Sequence, residues 1–401
     1  MKIVLFCHPA FLGSQSMGRF ANMLAREYRA RGHEVDMWAP SDRLHRRFAG
    51  SKLAKWAGYV DQYVLFPLHV KRLLRQRSAD TLYVFCDQAL GPWVPLVKHL
   101  PHVVHVHDLL ALRSALGLIP ENPTGFTGRI YQRYIRWGFR QARHFISISG
   151  KSRQDLHEFG GVRPAVSEVV YNGLNYPFEP LPAAESLAVL QAAGLPVEPR
   201  GMVLHVGSGS WYKNALGVVR LYGEYARRHQ DPLPLLLVMR QPTPAVQAAL
   251  AQLPPQARVL RAEGIGSREL HAAYSLARVF LFPSLAEGFG WPIIESQASG
   301  CPVITTDEAP MNEIGGPVAR YLPRMQPDAI DAWVQRAADE LDAVLAWPDH
   351  ERARVVEQGL AWAANFKAEA AIDRYLAIYH QVFAAAVPAG ARAGEPTSIA
   401  R

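Results

Sequence analysis

Short apolar runs alternate with longer amphipathic stretches, and the alternation occurs twice along the chain. The first series reads KIVLFC, EVDMWAP, TLYVFC, HVVHVH, HFISIS and SEVVY, with helical patterns between, as at 17–31 and 126–142. The second reads GMVLHVG, LPLLLVM, ARVLRA, RVFLFP and CPVITT, separated by helical patterns near 213–229, 244–252, 267–276 and 291–299. Runs of Val, Ile, Leu and Phe without polar alternation suit strands buried on both faces. Alternation with helices then requires parallel sheets covered on both sides, an α/β architecture. Five prolines fall within 173–200, which reads as a linker carrying one short helix. Helices fill 327–386, and the last fifteen residues lack an apolar period and read as a disordered tail. A length of 401 residues fits two domains of about 150–200 residues. The boundaries are set at 1–177, 178–370, a last helix over 371–386 and a tail over 387–401.

Charge separates the halves. Residues 1–178 carry 24 Lys and Arg against 12 Asp and Glu, whereas the remainder carries 19 against 23. Such a bias equips the first half to meet something anionic. Cys7, Cys86 and Cys301 are scattered beside apolar runs and read as buried thiols of a reducing, cytoplasmic compartment. The opening MKIVLFCHPAFLG is broken by His8 and Pro9 and reads as a strand rather than a secretion signal. No apolar stretch approaches the roughly 18 residues of a membrane span.

Open parallel sheets bind ligands beyond the carboxyl ends of their strands. Residues just after strands are therefore the informative ones: Gly13, His107 and Asp108 in the first half, and Gly207, Arg240, Gly264 and Glu287 in the second. HVGSGSWYKN (205–214) follows a strand and opens a helix, so its amides and Lys213 could receive a phosphate; a plain turn with an exposed lysine is the simpler alternative. It lacks the third glycine of a dinucleotide fingerprint. In EGFGWPIIE (287–295), Pro292 fits the start of a helix, and Glu295 is then expected in the first turn, where a favourable dipole alone would explain it. Glu287 belongs to the preceding loop.

These features together resemble the retaining glycosyltransferases of family 4. The resemblance is carried by HVG…YKN, by GIGSRELHAAYSLARVFLFPSLAEGFGWPIIESQASGCPVITT, by the late NEIGG, and upstream by GSQSMGRFANMLAREYRARGHEV and VVYNGLNYPFEP. It covers the chain to about residue 385 and is most specific in the second half. It implies the GT-B fold, two Rossmann-like domains with parallel sheets facing across a cleft, and a last helix crossing back to the first domain. It also implies site roles. Glu287 would contact the donor sugar, and Gly288, Phe289 and Gly290 would offer amides to the sugar and diphosphate. Glu295 would hold the ribose hydroxyls, Lys213 the diphosphate, and Ile265 would lie by the base. Gly13 would lie near the diphosphate and acceptor, and His107 near the transferred sugar. At Ser208 the family commonly has arginine. Arg240, ending the LLLVMR strand, is then the expected second cation.

No Asp-x-Asp occurs, so the resemblance implies leaving-group stabilisation without a metal or other cofactor. His105 and His107 share a strand face but lack further metal ligands at workable spacing. Segment 43–77 holds nine Lys and Arg, one acid, and interleaved Trp56, Tyr59, Tyr63 and Phe66. It suits the anionic inner face of a membrane, or simply a solvated helix pair; no nucleic-acid module accompanies it. The expected activity is transfer of a hexose from a GDP-mannose or UDP-glucose type of donor to a glycan or lipid-linked acceptor. An epimerase or phosphorylase on the same frame, and an inactive nucleotide-sugar-binding protein, are the alternatives.

Overall fold

The computed structural model describes residues 1–13 and 15–386; the expected tail over 387–401 lies outside the described residues. The chain divides into two compact units. One comprises Met1–Tyr171 together with the chain from Glu369, and the other Asn172–Ala368. These divisions fall six and two residues before the limits set at 177 and 370.

The first unit holds β1 (Lys2–Phe6), β2 (Glu34–Trp38), β3 (Thr81–Phe85), β4 (His102–Val106), β5 (His144–Ser147) and β6 (Val166–Val169). They form one sheet in the order β2-β1-β3-β4-β5-β6, parallel throughout. Alternation along the central strands β1 and β3 serves two cores, which is why they read as almost wholly apolar runs. Ile3, Leu5, Leu82 and Val84 face the helix Gln15–Ala30 and the C-terminal helix residues Ile372, Tyr375 and Tyr379. Val4, Phe6, Tyr83 and Phe85 face Phe66, Trp93 and Phe139 on the other side. The C-terminal helix is thus part of this unit's core: the Tyr28 hydroxyl donates to the Tyr379 oxygen at 3.1 Å, and His105 Nε2 lies 2.6 Å from the same oxygen.

The second unit holds β7 (Val203–Val206), β8 (Leu235–Val238), β9 (Val259–Ala262), β10 (Val279–Phe282), β11 (Val303–Thr306) and β12 (Arg320–Leu322). The order is β12-β11-β10-β7-β8-β9, again all parallel. The edge strand β12 has three residues with Arg320 exposed, too short for an apolar run to betray it. The stretch expected to be a linker belongs to this unit. Its helix Ala183–Ala192 buries Leu190 and packs on the helix Ser267–Leu276.

Each sheet reverses its winding at one place, between β1 and β3 in the first unit and between β7 and β10 in the second. At such a reversal the connections leave in opposite directions, and a crevice opens beyond the strand ends.

Candidate active site

The second unit's crevice is built from the loops after β7 and β10. Gly207 follows β7, and a Cβ there would stand 3.0 Å from His205 Nε2 and 3.3 Å from Lys213 Cβ. Glycine therefore lets the loop fold back over its own strand. The loop passes through a 3-10 turn, Trp211–Lys213, to Asn214, whose left-handed φ of 53° makes it the cap of the helix Ala215–Arg228. Asn214 Oδ1 accepts from the Gly217 amide at 3.1 Å, while its Nδ2 donates to the Pro283 carbonyl beyond β10 at 3.0 Å. The Leu285 amide donates to the Tyr212 carbonyl at 2.7 Å. The two loops are thus laced together before any ligand arrives.

This lacing brings Lys213 to Glu287, with Nζ donating to Oε1 at 2.7 Å. Their side chains are only 13% and 8% exposed. Lys213 Nζ also lies 4.5 Å from the Phe282 ring centroid. Desolvating both charges is expensive, so such a pair is weak as a stability device. The expected phosphate-binding lysine is therefore already satisfied by the expected sugar-binding glutamate. Any ligand must share or rearrange this pair.

Gly290, at φ +102°, caps the helix Trp291–Ala298, and Pro292 lies in its first positions. Glu295 is the fifth helical residue, and no acid occupies the first turn. The first-turn placement expected for Glu295 is thus corrected: the helix starts at Trp291, one residue before the proline, and the dipole does not explain this acid. Instead the Tyr274 hydroxyl donates to Glu295 Oε2 at 3.1 Å. Burial pushes the Glu295 carboxyl up to about 7, against the opposing pull of that hydrogen bond and of Lys213. A carboxylate held at this cost, within the field of Lys213, is a functional-site signature. Phe289 is buried against Trp291 and Phe366, which fixes the turn between the two acids.

The remaining expected residues surround this centre unevenly. Ser208 is exposed, and its hydroxyl pairs with that of Ser210 at 2.8 Å. Arg240 is exposed beyond β8 and makes no hydrogen bond or ion pair among the described residues. Ile265 is half-buried in the turn between β9 and the helix Ser267–Leu276, after Gly264 at φ +67°. Arg324, which sequence inspection missed, donates from Nε to the Leu285 carbonyl at 3.0 Å and so braces the loop bearing Glu287.

The first unit has its own crevice at the β1/β3 reversal. Register pairs Phe6 with Phe85, so the following His8 and Asp87 emerge together. His8 Nε2 lies 2.8 Å from Asp87 Oδ2, and Asp87 Oδ1 accepts from the Ala89 amide at 3.2 Å. Burial raises the Asp87 carboxyl, but the His8 hydrogen bond and the charges of His8 and His107 outweigh it and hold the carboxyl below its ordinary value. Sequence inspection missed this pair, although the matched endings Phe-Cys-His and Phe-Cys-Asp of two neighbouring apolar runs were the signal. His107, ending β4, is buried, donates from Nε2 to the Cys86 carbonyl at 2.9 Å, and has its protonation disfavoured by burial despite nearby Asp87. With His105 on Tyr379 and His107 on Cys86, neither ring offers Nε2 to a metal. Gly13 closes the 3-10 turn Ala10–Leu12 in a left-handed conformation, φ 69°.

Comparison with known proteins bears on this arrangement. Residues 17–176 match the model described as Glycosyltransferase Family 4, and residues 200–339 match Glycosyl transferases group 1. The chain is 24% identical over 324 residues to the MMP alpha-(1->4)-mannosyltransferase of Mycolicibacterium hassiacum, covering 76% of this chain and 73% of that one. It is 25% identical over 281 residues to O-antigen chain mannosyltransferase B of Escherichia coli, covering 68% and 69%. Among solved structures, sucrose-phosphate synthase from Thermosynechococcus elongatus superposes with a TM-score of 0.71 at 19% identity, over 96% of this chain and all of that one. An Anabaena protein solved with UDP and glucose gives 0.65 at 16% identity, over 95% and 100%.

Proposed function

This chain belongs to the GT-B glycosyltransferases of the family 4 type, and on that footing we propose that it transfers a hexose, mannose before glucose, from a nucleotide sugar to a glycan or lipid-linked acceptor with retention of configuration. The observation that carries the proposal is the buried Lys213–Glu287 pair at the β7/β10 reversal, with Glu295 eight residues on. The preference for mannose rests on the two mannosyltransferase relatives.

The residues divide the donor between them. Glu287 takes hydroxyls of the transferred sugar, which frees the Lys213 ammonium to face the diphosphate. Glu295 accepts from the two ribose hydroxyls, whose hydrogen bonds favour its charged form. As the bond from the anomeric carbon to the phosphate oxygen breaks, negative charge grows on the diphosphate. Lys213 and Arg240 meet it, together with the Gly288–Gly290 turn, without a metal in the scheme. The acceptor hydroxyl adds to the same face of the sugar and yields its proton to the departing phosphate oxygen. The β1/β3 crevice of the first unit, with His8, Asp87 and His107, serves the acceptor.

A radiochemical transfer assay with GDP-mannose and UDP-glucose, scored for nucleoside diphosphate release and an extended acceptor, tests the proposal. Release with an extended acceptor supports it. Rearranged nucleotide sugar, or sugar phosphate formed from inorganic phosphate, would instead mark an epimerase or a phosphorylase.

A further inference from the structure

In the first unit, a continuous helix runs Ala54–Val60, through a π turn at Asp61–Leu65, into Phe66–Leu74. Leu53, Trp56, Val60, Val64 and Leu68 form a line along it at steps of three or four residues, and all are exposed, Trp56 at 63% and Leu68 at 60%. An α-helix alone would drift by about 40° at each four-residue step. The π turn widens the repeat and holds the line on one face. A second helix, Phe126–Phe139, repeats the pattern with Phe126, Ile130, Tyr134 and Trp137, where Phe126 is 77% and Trp137 54% exposed.

The two lines are joined. Tyr63 and Tyr131 share a hydroxyl hydrogen bond of 2.6 Å. Ring contacts run from Trp56 to Tyr59, from Tyr59 to Tyr131, from Tyr131 to Tyr63, from Tyr63 to Tyr134, and from Tyr134 to a stacked Trp137. An aromatic seam thus connects one exposed tryptophan to the other. Isolated exposed apolar residues need no explanation, but two joined lines do.

Cations surround the seam. Lys52 and Lys55 begin the first line, Lys71, Arg72 and Arg75 end it, and Arg129 and Arg133 flank the second. None of these seven makes an ion pair among the described residues. The one acid of 43–77, Asp61, is buried and spends its oxygens on the Leu44 and His45 amides at 2.8–3.0 Å. Among the described residues no ion pair therefore neutralises these seven cations.

We infer that this two-helix face seats the protein on an anionic lipid bilayer, with Trp56 and Trp137 at the headgroup boundary and the lysines and arginines on the lipid phosphates. Tryptophan and tyrosine favour that boundary because one end is apolar and the other polar. Charge complementarity selects the occupant: a second copy would bring two such cationic faces together, whereas an anionic bilayer meets both the apolar lines and the charge. The inference adds the helix Phe126–Phe139 to the basic segment and depends on the proposed function only for its purpose, the delivery of lipid-linked acceptors.

The test is co-sedimentation of the full chain with vesicles of phosphatidylcholine alone and of phosphatidylcholine with phosphatidylglycerol, with light scattering of the free protein. Binding to the anionic vesicles, suppressed by high salt, is expected. Arg72→Glu/Arg75→Glu should weaken it more than tenfold, since each cation contributes roughly fivefold. Trp56→Ser/Trp137→Ser should weaken it as well at unchanged melting temperature. Binding to neither vesicle type, or anionic binding untouched by both variants, overturns the inference. So does a dimer that the tryptophan variant dissolves, which would assign the face to a second copy. Nucleotide binding by the same preparations, read separately, keeps failure here distinct from failure of the transferase assignment.

Discussion

Replacing Glu295 with glutamine should make the protein more stable and less able to hold a nucleotide. The side chain sits beside Tyr274, and burial holds its carboxyl near about 7 against an ordinary value of 4.5. Below about 4.5 the carboxyl is neutral in both the folded and unfolded states and costs nothing. Between those values the unfolded chain releases the proton more readily, so stability falls as pH rises; above about 7 the full cost stands. Each pH unit is worth 1.36 kcal/mol, which makes the cost about 3 kcal/mol at pH 8. Glutamine keeps an oxygen for the Tyr274 hydroxyl and removes the charge. Thermal melts of E295Q and wild type should therefore differ by roughly 6–12 °C at pH 8, at about 2–4 °C per kcal/mol for a unit of this size. The curves should converge near pH 4. Glutamine also loses two charge-assisted hydrogen bonds to a ribose, so the Kd for the nucleoside diphosphate should rise roughly 10–100-fold. A variant that is less stable than wild type at pH 8, or a difference that persists at pH 4, would refute the reasoning.

Other perturbations separate structure from chemistry. Lys213→Ala leaves Glu287 buried and unpaired and should cost about 3–5 kcal/mol, much of it recovered in Lys213→Ala/Glu287→Leu by thermal denaturation, while both variants lose turnover. Arg240→Ala removes an exposed, unpaired cation and should lower turnover by an order of magnitude or more with an unchanged melting temperature; unchanged turnover would leave Lys213 as the cation that matters. Gly207→Ala presses on His205 and Lys213 and should reduce nucleoside diphosphate binding measured by calorimetry. Asp87→Asn should destabilise the first unit by about 1–3 kcal/mol at neutral pH. Because the folded Asp87 carboxyl lies below its ordinary 3.8, that difference should shrink as pH falls through the acidic range, as pH-dependent melts would show.

The sheets were legible in the sequence because buried parallel strands leave short, largely apolar runs, and eleven of the twelve strands among the described residues coincide with one of the quoted runs. β12 carries none. The acids of EGFGWPIIE were legible as residues but not as an arrangement: a one-residue shift of the helix start moved Glu295 beyond the dipole's reach. Lys213 and Glu287 lie 74 positions apart, and only the pairing of β7 with β10 joins their loops. His8 and Asp87 lie 79 apart and were brought together by β1–β3 register, which two matching strand ends could have revealed. The basic segment was visible as composition. The helical pattern at 126–142 was visible too, but not its place beside that segment, because only packing through Tyr63 and Tyr131 sets the two together.

The most direct measurement is a thermal-shift panel of nucleoside diphosphates and nucleotide sugars on the wild-type chain and on Glu287→Ala. One nucleoside diphosphate and its sugar conjugate should raise the melting temperature of the wild type. A ligand at a hundred times its Kd adds about 2.7 kcal/mol. The Glu287→Ala variant should keep the response to the diphosphate and lose the additional response to the sugar. No shift with any nucleotide, or an identical sugar response without Glu287, would contradict the assignment of this crevice as a donor site.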